Sequence, residues 1–206
     1  MNDNHCCRVV LTGGPGGGKT TAADLFRREL GKEVVIVPEA ATLLYLGGFP
    51  RSSEIEVRKA TQRAIYHVQK NLEDIQFAAY KNRILLCDRG TIDGVAYWPN
   101  EQRGYFQHLG TTVEQEFARY DAVVFFESAA VGGISIEGGN PVRTESVEEA
   151  IALNKRLYEA WSKHPQFYLI KHQPSFFLKI SLALEVLNNI VVMHHKRMKG
   201  EHDEYM

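Results

Sequence analysis

The sequence predicts a three-layer α/β fold, a parallel sheet of five strands with helices on both faces. Three observations point there: five short, continuously apolar runs, helical periodicity between them, and a glycine-rich turn joining the first run to the first helix. Runs that are apolar throughout, rather than alternating, suit strands buried on both sides. Strand–helix alternation then argues for parallel pairing through crossover helices.

The first strand is read at residues 7–12 (CRVVLT). A helix follows in which Ala22, Leu25, Phe26 and Leu30 form one apolar stripe, with Gly31 placed as its C-cap. The second strand is 33–37 (EVVIV), and a long helix is expected over 54–81, where Val57, Ala60, Ala64, Val68, Leu72, Ile75 and Ala79 step by three or four. Strands are expected at 83–87 (RILLC), 121–126 (DAVVFF) and 166–170 (QFYLI). Ser146 and Glu149 have capping-box spacing and open a helix to about Trp161. Phe176, Ile180, Leu184, Leu187 and Val191 mark a last helix, docked on the sheet, and residues 194–206 read as a frayed polar tail.

The 206 residues fit one domain, 1–206, with no internal repeat and no long linker. Charge is balanced, 24 Lys+Arg against 25 Asp+Glu, so bulk electrostatics give no reason to expect a nucleic-acid partner. No apolar run approaches the ~20 residues of a membrane span, and the start is read as lacking a secretory leader. Three cysteines, an odd number with no CxxC spacing, argue against a disulfide framework and a structural zinc site and for a cytoplasmic setting. Nothing in the pattern fixes an oligomeric state.

Residues 13–20 read Gly13-Gly14-Pro15-Gly16-Gly17-Gly18-Lys19-Thr20, a full match to G-x-x-x-x-G-K-[ST], with Thr21 next. A strand before it and a helix after it are the context this phosphate-binding loop requires. Glycines allow a turn that a Cβ would forbid, and successive N–H groups then form an anion-binding nest at a helix N-terminus. Lys19 is expected on the β- and γ-phosphates of ATP, or less readily GTP, and the Thr20 hydroxyl on Mg²⁺. Asp88, the acid ending the third strand, is the second expected Mg²⁺ ligand. Arg89 stands where a motor-type ATPase would carry another acid, which counts against that class. The one Asn-Lys pair, Asn154-Lys155, lacks the Asp of a guanine-reading loop.

Glu39 ends the second strand, and ligands of doubly wound sheets sit outside the carboxyl ends of strands. It could take the proton of an acceptor hydroxyl, help bind metal, or merely cap a helix. The glycine-rich segment 130–146 carries Arg143 and reads as a lid that brings an arginine to the transition state, or as an ordinary surface loop. An acceptor pocket is expected between the long helix and segment 91–99. Gln69 and Glu73 could face it or form a solvated helical pair; Asp93, Tyr97 and Trp98 could line it or be core.

With these residues in place, the chain resembles a P-loop, kinase-like, AAA-type family. It is typified by the nicotinamide riboside kinase domain of the bacterial NAD-biosynthesis regulator and the insect TRPL-translocation-defect protein. The stretches that carry the likeness are LTGGPGGGKTT (11–21), VPEAAT (37–42), LLCDRGTIDGVAYWP (85–99) and NPVRTESVEEA (140–150). The resemblance implies a nucleoside/nucleotide-kinase-like fold with strand order 2-3-1-4-5, nucleotide binding, and transfer of a phosphoryl group to a small hydroxyl compound. Glu39 would be the base, with Asp88 and Arg89 the acid–arginine pair and Lys19 and Arg143 offsetting charge. It also leaves room for a nucleotide-dependent switch with slow hydrolysis and a protein or lipid partner.

Overall fold

The computed structural model describes residues 7–99, 103–132 and 146–199. Five strands form one sheet: β1 (Arg8–Thr12), β2 (Val34–Val37), β3 (Ile84–Asp88), β4 (Ala122–Phe126) and β5 (Phe167–Ile170). Every pairing is parallel and the order is β2-β3-β1-β4-β5, as expected. The helices are α1 (Lys19–Leu30), α2 (Ala40–Leu46), α3 (Ile55–Ala79), α4 (Gly94–Tyr97), α5 (Arg103–Leu109), α6 (Val113–Phe117), α7 (Val147–Trp161) and α8 (Phe176–Lys199).

The two faces of the sheet explain the unbroken apolar runs. Val9 and Leu11 of β1 point to one face, where Ala22, Ala23 and Phe26 of α1 and Ile180, Ala183 and Leu187 of α8 cover them. Val10, between them, points to the other face and packs with Tyr66, Trp98, Tyr105 and Trp161. Successive side chains of a strand alternate faces, so burial on both requires an apolar residue at every position. The predicted caps form: Gly31 closes α1 at φ 55, and Ser146 and Glu149 exchange the two bonds of a capping box on α7.

Two expectations about the last helix need correction. It does not fray at 194 but runs to Lys199, because buried Ile190 and Val191 anchor its last turns to the core. The basic residues that follow continue the helix, where positive charge suits a C-terminus. Residues Phe176–Met198 are also long and apolar enough to cross a membrane by length and composition, contrary to the reading that no run approaches that length. In the fold, one side of α8 docks on the sheet while Phe177, Val192 and Met198 on its other side are exposed.

The topology sets up a crevice. The chain leaves β1 for the edge strand β2, while β4 lies on the opposite side of β1, so the strand order reverses at β1. The loops after β1, β2, β3 and β4 therefore open at one end of the sheet, where such folds bind ligands.

Candidate active site

Residues 13–18 form the turn between β1 and α1. Gly13 has φ 130, and a Cβ there would lie 2.0 Å from the Phe126 carbonyl oxygen, so neither the conformation nor the space admits another residue. Gly18, at φ 84, occupies the N-cap of α1. The first N–H groups of α1 have no intrahelical acceptors and face the turn, the arrangement that receives phosphate oxygens. Lys19 is almost fully buried, and its Nζ donates to the Gly13 and Gly14 carbonyls, both at 2.9 Å. Thr21 is exposed in the first turn of the helix.

Three side chains from much later in the chain brace this loop. Asn154 of α7 accepts from the N–H groups of Gly14 (3.2 Å) and Ser128 (2.9 Å) through one oxygen. The Ser128 hydroxyl donates to the Pro15 carbonyl. Buried Lys179 of α8 donates to the Gly17 carbonyl at 3.0 Å and to the Glu127 carbonyl. Burial pulls Lys179 down to about 8, against the opposing pull of Glu127. These residues lie more than a hundred positions beyond the loop, and no local pattern announces such contacts.

The acids arrive from neighbouring strand tips. Asp88 Oδ2 accepts from the Thr20 hydroxyl at 2.8 Å, while its Oδ1 is buried with no partner among the described residues. Burial raises the Asp88 carboxyl, helped by the charge of Glu39, and Lys19, Thr20 and Arg89 only partly offset this. A hydroxyl and a carboxylate with one orphaned oxygen make a hard-donor set suited to Mg²⁺, which usually takes one or two protein oxygens beside phosphate and water. The described residues contain no cluster of three or more His, Cys, Asp or Glu for a metal.

Because the folded-state pKa of Asp88 is raised, its charge opposes folding at neutral pH, and that penalty fades as pH falls through the raised value. Asp88→Asn is therefore expected to raise the Tm of the nucleotide-free protein by roughly 2–4 °C, the shift ~1 kcal/mol produces at this size. The same change should remove Mg²⁺-dependent tightening of nucleotide binding. A thermal melt with and without Mg-nucleotide checks both; a lower nucleotide-free Tm would contradict the argument.

Arg89 sits at φ 73, a left-handed conformation that costs a non-glycine residue ~1 kcal/mol or more and concentrates at functional sites. The turn sends its guanidinium back under the phosphate loop. Nε donates to Glu39 Oε1 at 2.6 Å, and Nη1 donates to Asp93 Oδ1 at 2.8 Å and reaches the Gly13 carbonyl at 3.4 Å. Burial opposes the Arg89 charge, but Tyr97, Glu39 and Asp93 outweigh it and keep it protonated. Glu39 occupies the N-cap of α2 by backbone position, yet its side chain makes no cap bond. Its other oxygen accepts from the Thr42 hydroxyl at 2.6 Å. Burial pushes the Glu39 carboxyl up, and Arg89, Thr42 and Lys19 together bring it below the usual range.

The solvated-pair reading of Gln69 and Glu73 is corrected: both are buried. The Gln69 amide donates to the Arg89 carbonyl (3.1 Å) and to Glu73 (3.2 Å), so this face of α3 supports the strained turn. Asp93 accepts four bonds, from Thr12, Arg89, the Gly90 N–H and the Trp161 indole, and fixes Arg89 from the other side. Trp98 is core, edge-on to Tyr105 at 5.4 Å. Tyr97 is not core in the same way. It lines a cavity of about 120 Å³ with Glu39, Tyr45, Gln62, Tyr66 and Arg89, at the expected place beside α3 and segment 91–99. The wall from α2 was not foreseen. Arg143 and nearly all of the expected lid lie outside the described residues.

Comparison with known proteins agrees with this geometry. The search of curated proteins finds no match. Among solved structures, the chain is similar to a deoxyadenosine kinase from M. mycoides with bound dATP, at 16% identity and TM-score 0.60. The match covers 88% of this chain and 99% of that one, and it shows a shared fold. The model of the family described as an AAA domain matches residues 8–176, from the first residue of β1 to the first of α8. With the phosphate loop, the strand order and the acids at the strand tips already placed, this chain belongs to the AAA domain family and is a P-loop domain with the fold of a nucleoside kinase.

Proposed function

We propose that the protein is a Mg²⁺-dependent phosphotransferase that moves the γ-phosphoryl group of ATP, with GTP the second choice, to a small riboside-like hydroxyl compound. One observation carries this: the same Glu39–Arg89 pair lies beside the phosphate loop and walls the adjacent cavity. A protein that only binds and hydrolyses nucleotide has no need of a second walled cavity at that point.

In this reading residues 13–20 hold the triphosphate, and Thr20 and Asp88 hold Mg²⁺, which when bound neutralises charge on the phosphate oxygens. The acceptor hydroxyl oxygen bonds to the γ-phosphorus as the bond from that phosphorus to the bridging oxygen breaks. The nucleoside diphosphate leaves with the electron pair. Glu39 is ionised and of lowered basicity, so it accepts the hydroxyl's hydrogen bond and orients it. The proton passes to Glu39 late, once bonding to phosphorus has made it acidic. Arg89 positions the two substrates against each other, and Lys19 and lid residue Arg143 offset developing charge. The domain spans 1–206 and works in the cytoplasm, where buried Cys7 and Cys87 stay reduced.

ATP consumption is measured against nucleosides, ribosides and other small alcohols; stimulation by one class is expected, and slow turnover indifferent to every acceptor would sink the reading. Glu39→Gln should lower kcat by ~10²-fold or more while leaving nucleotide affinity unchanged. Equal losses in both would remove its role toward the acceptor.

A second reading is a nucleotide-dependent switch with a protein or lipid partner. What favours it is that α8 bonds the phosphate loop through Lys179 while exposing Phe177 and Val192. Retention of nucleotide without acceptor stimulation would support it.

A further inference from the structure

We infer that the acceptor carries an anionic group, a phosphate or a carboxylate, seated on Arg58 and Arg156 at the mouth of the cavity. The inference rests on the phosphotransferase reading and names the class of compound that the site takes.

The inner cavity opens past Tyr97 and Arg51 into a shallow groove of about 570 Å³. Tyr97 and Arg51 belong to both, so one molecule can occupy both. Three arginines, Arg51, Arg58 and Arg156, line this groove with the hydroxyls of Ser52 and Ser53. Among the described residues the one acid lining it, Glu149, already accepts from the Ser146 N–H at 2.8 Å in the α7 capping box. The groove is therefore cationic, on an otherwise charge-balanced chain. No residue of the phosphate loop lines it, which assigns its charge to the acceptor rather than to the triphosphate.

The arginines are placed rather than merely present. Arg58, in the first turn of α3, donates one N–H to the Tyr97 carbonyl at 2.8 Å, which pins its guanidinium at the rim. Four further N–H groups of that fork remain. Arg51 stacks on the Tyr45 ring at 4.1 Å, at the junction of the two cavities. No carboxylate among the described residues pairs with Arg58 or Arg156. Guanidinium forks match phosphate and carboxylate in a bidentate way, and a helix N-terminus beside them adds attraction for an anion. The ring of the acceptor would lie among Tyr45, Tyr66 and Tyr97, its reacting hydroxyl toward Glu39, and its anion outside on the arginines.

The test uses the full chain saturated with a non-hydrolysable ATP analogue. Equilibrium dialysis compares the four common nucleosides with their 3′- and 5′-monophosphates and with nucleoside 5′-carboxylates. At least one anionic set should bind ~10-fold or more tighter than the parent nucleosides, the scale of one charge-assisted bond. Which set is preferred decides between phosphate and carboxylate. Arg58→Gln and Arg156→Gln should each cut that preference and flatten its dependence on salt, with affinity for the ATP analogue unchanged. Arg156 is exposed, so its variant keeps the fold even if Arg58→Gln does not. Equal binding of charged and neutral compounds, or a preference untouched by both substitutions, overturns the inference. If the preference appears but no acceptor is phosphorylated in the matching turnover assay, the anion seat stands and the phosphotransferase reading falls. If neutral acceptors are phosphorylated and the anionic ones gain nothing, the reverse holds.

Discussion

Lys19→Ala is expected to lower phosphoryl transfer by ~10³-fold or more, because it removes a buried cation from the place where charge develops on the transferring group. The Lys19 ammonium is held by two loop carbonyls at 2.9 Å and is shielded from solvent, so bound phosphate would meet it at low dielectric. Alanine is the best helix former at this first position of α1, so the fold should survive. The loop would keep its shape through Asn154 and Lys179. Turnover with saturating acceptor, measured beside nucleotide affinity, checks the claim. A variant that keeps a tenth of its activity would show that the loop does not serve the reaction as argued. Lys19→Arg should not rescue it, since the site that holds the compact ammonium leaves a planar guanidinium no matching room.

The second large effect is on stability. Glu73→Ala is expected to destabilise the protein by about 3–5 kcal/mol, the range found when one partner of a buried ion pair is removed. In a domain of this size that lowers Tm by roughly 6–20 °C. The Glu73 carboxylate is fully buried and accepts from Arg119 at 2.6 Å, the Tyr120 hydroxyl at 2.8 Å and the Gln69 amide at 3.2 Å. Burial, followed by the Glu73 charge, holds Tyr120 well above its usual value, so its hydroxyl remains a donor. Alanine would leave these donors facing a void, with the Arg119 charge largely buried. Denaturant unfolding of wild type and variant gives the number, and a loss under ~1 kcal/mol would show that water replaces the carboxylate. Gln69 also holds the Arg89 carbonyl, so the same variant, where folded, should lose activity beyond its loss of stability.

Function was most legible in one short segment of the sequence. The phosphate loop, its strand and its helix occupy residues 8–30 without a break, and each residue type there answers a local demand of turn or charge. Asp88 and Glu39 could be read because each ends an apolar run, and the end of a strand in a parallel sheet is a place with known neighbours. Gln69 and Glu73 were harder to place. Polar residues one turn apart on a helix look solvated, and only the left-handed turn at Arg89 creates the buried carbonyl that needs the Gln69 amide. The last helix was underread for a related reason: its charged end looked like a tail, although Ile190 and Val191 hold the helix to the sheet.

Alternation of apolar runs and helical stripes, with one glycine-rich turn, was enough to specify the sheet, its covering layers and the phosphate-binding function class. Those features are local, set by backbone sterics and by the burial of both sheet faces. What the tertiary structure alone decided is the company each charge keeps. Glu39 meets Arg89 across 50 positions, Asn154 meets Gly14 across 140, and Arg58 shares a groove with Arg156. A carboxylate's proton affinity and an arginine's readiness for a ligand depend on neighbours within a few ångströms. Sequence spacing over such distances carries no record of them until the chain folds.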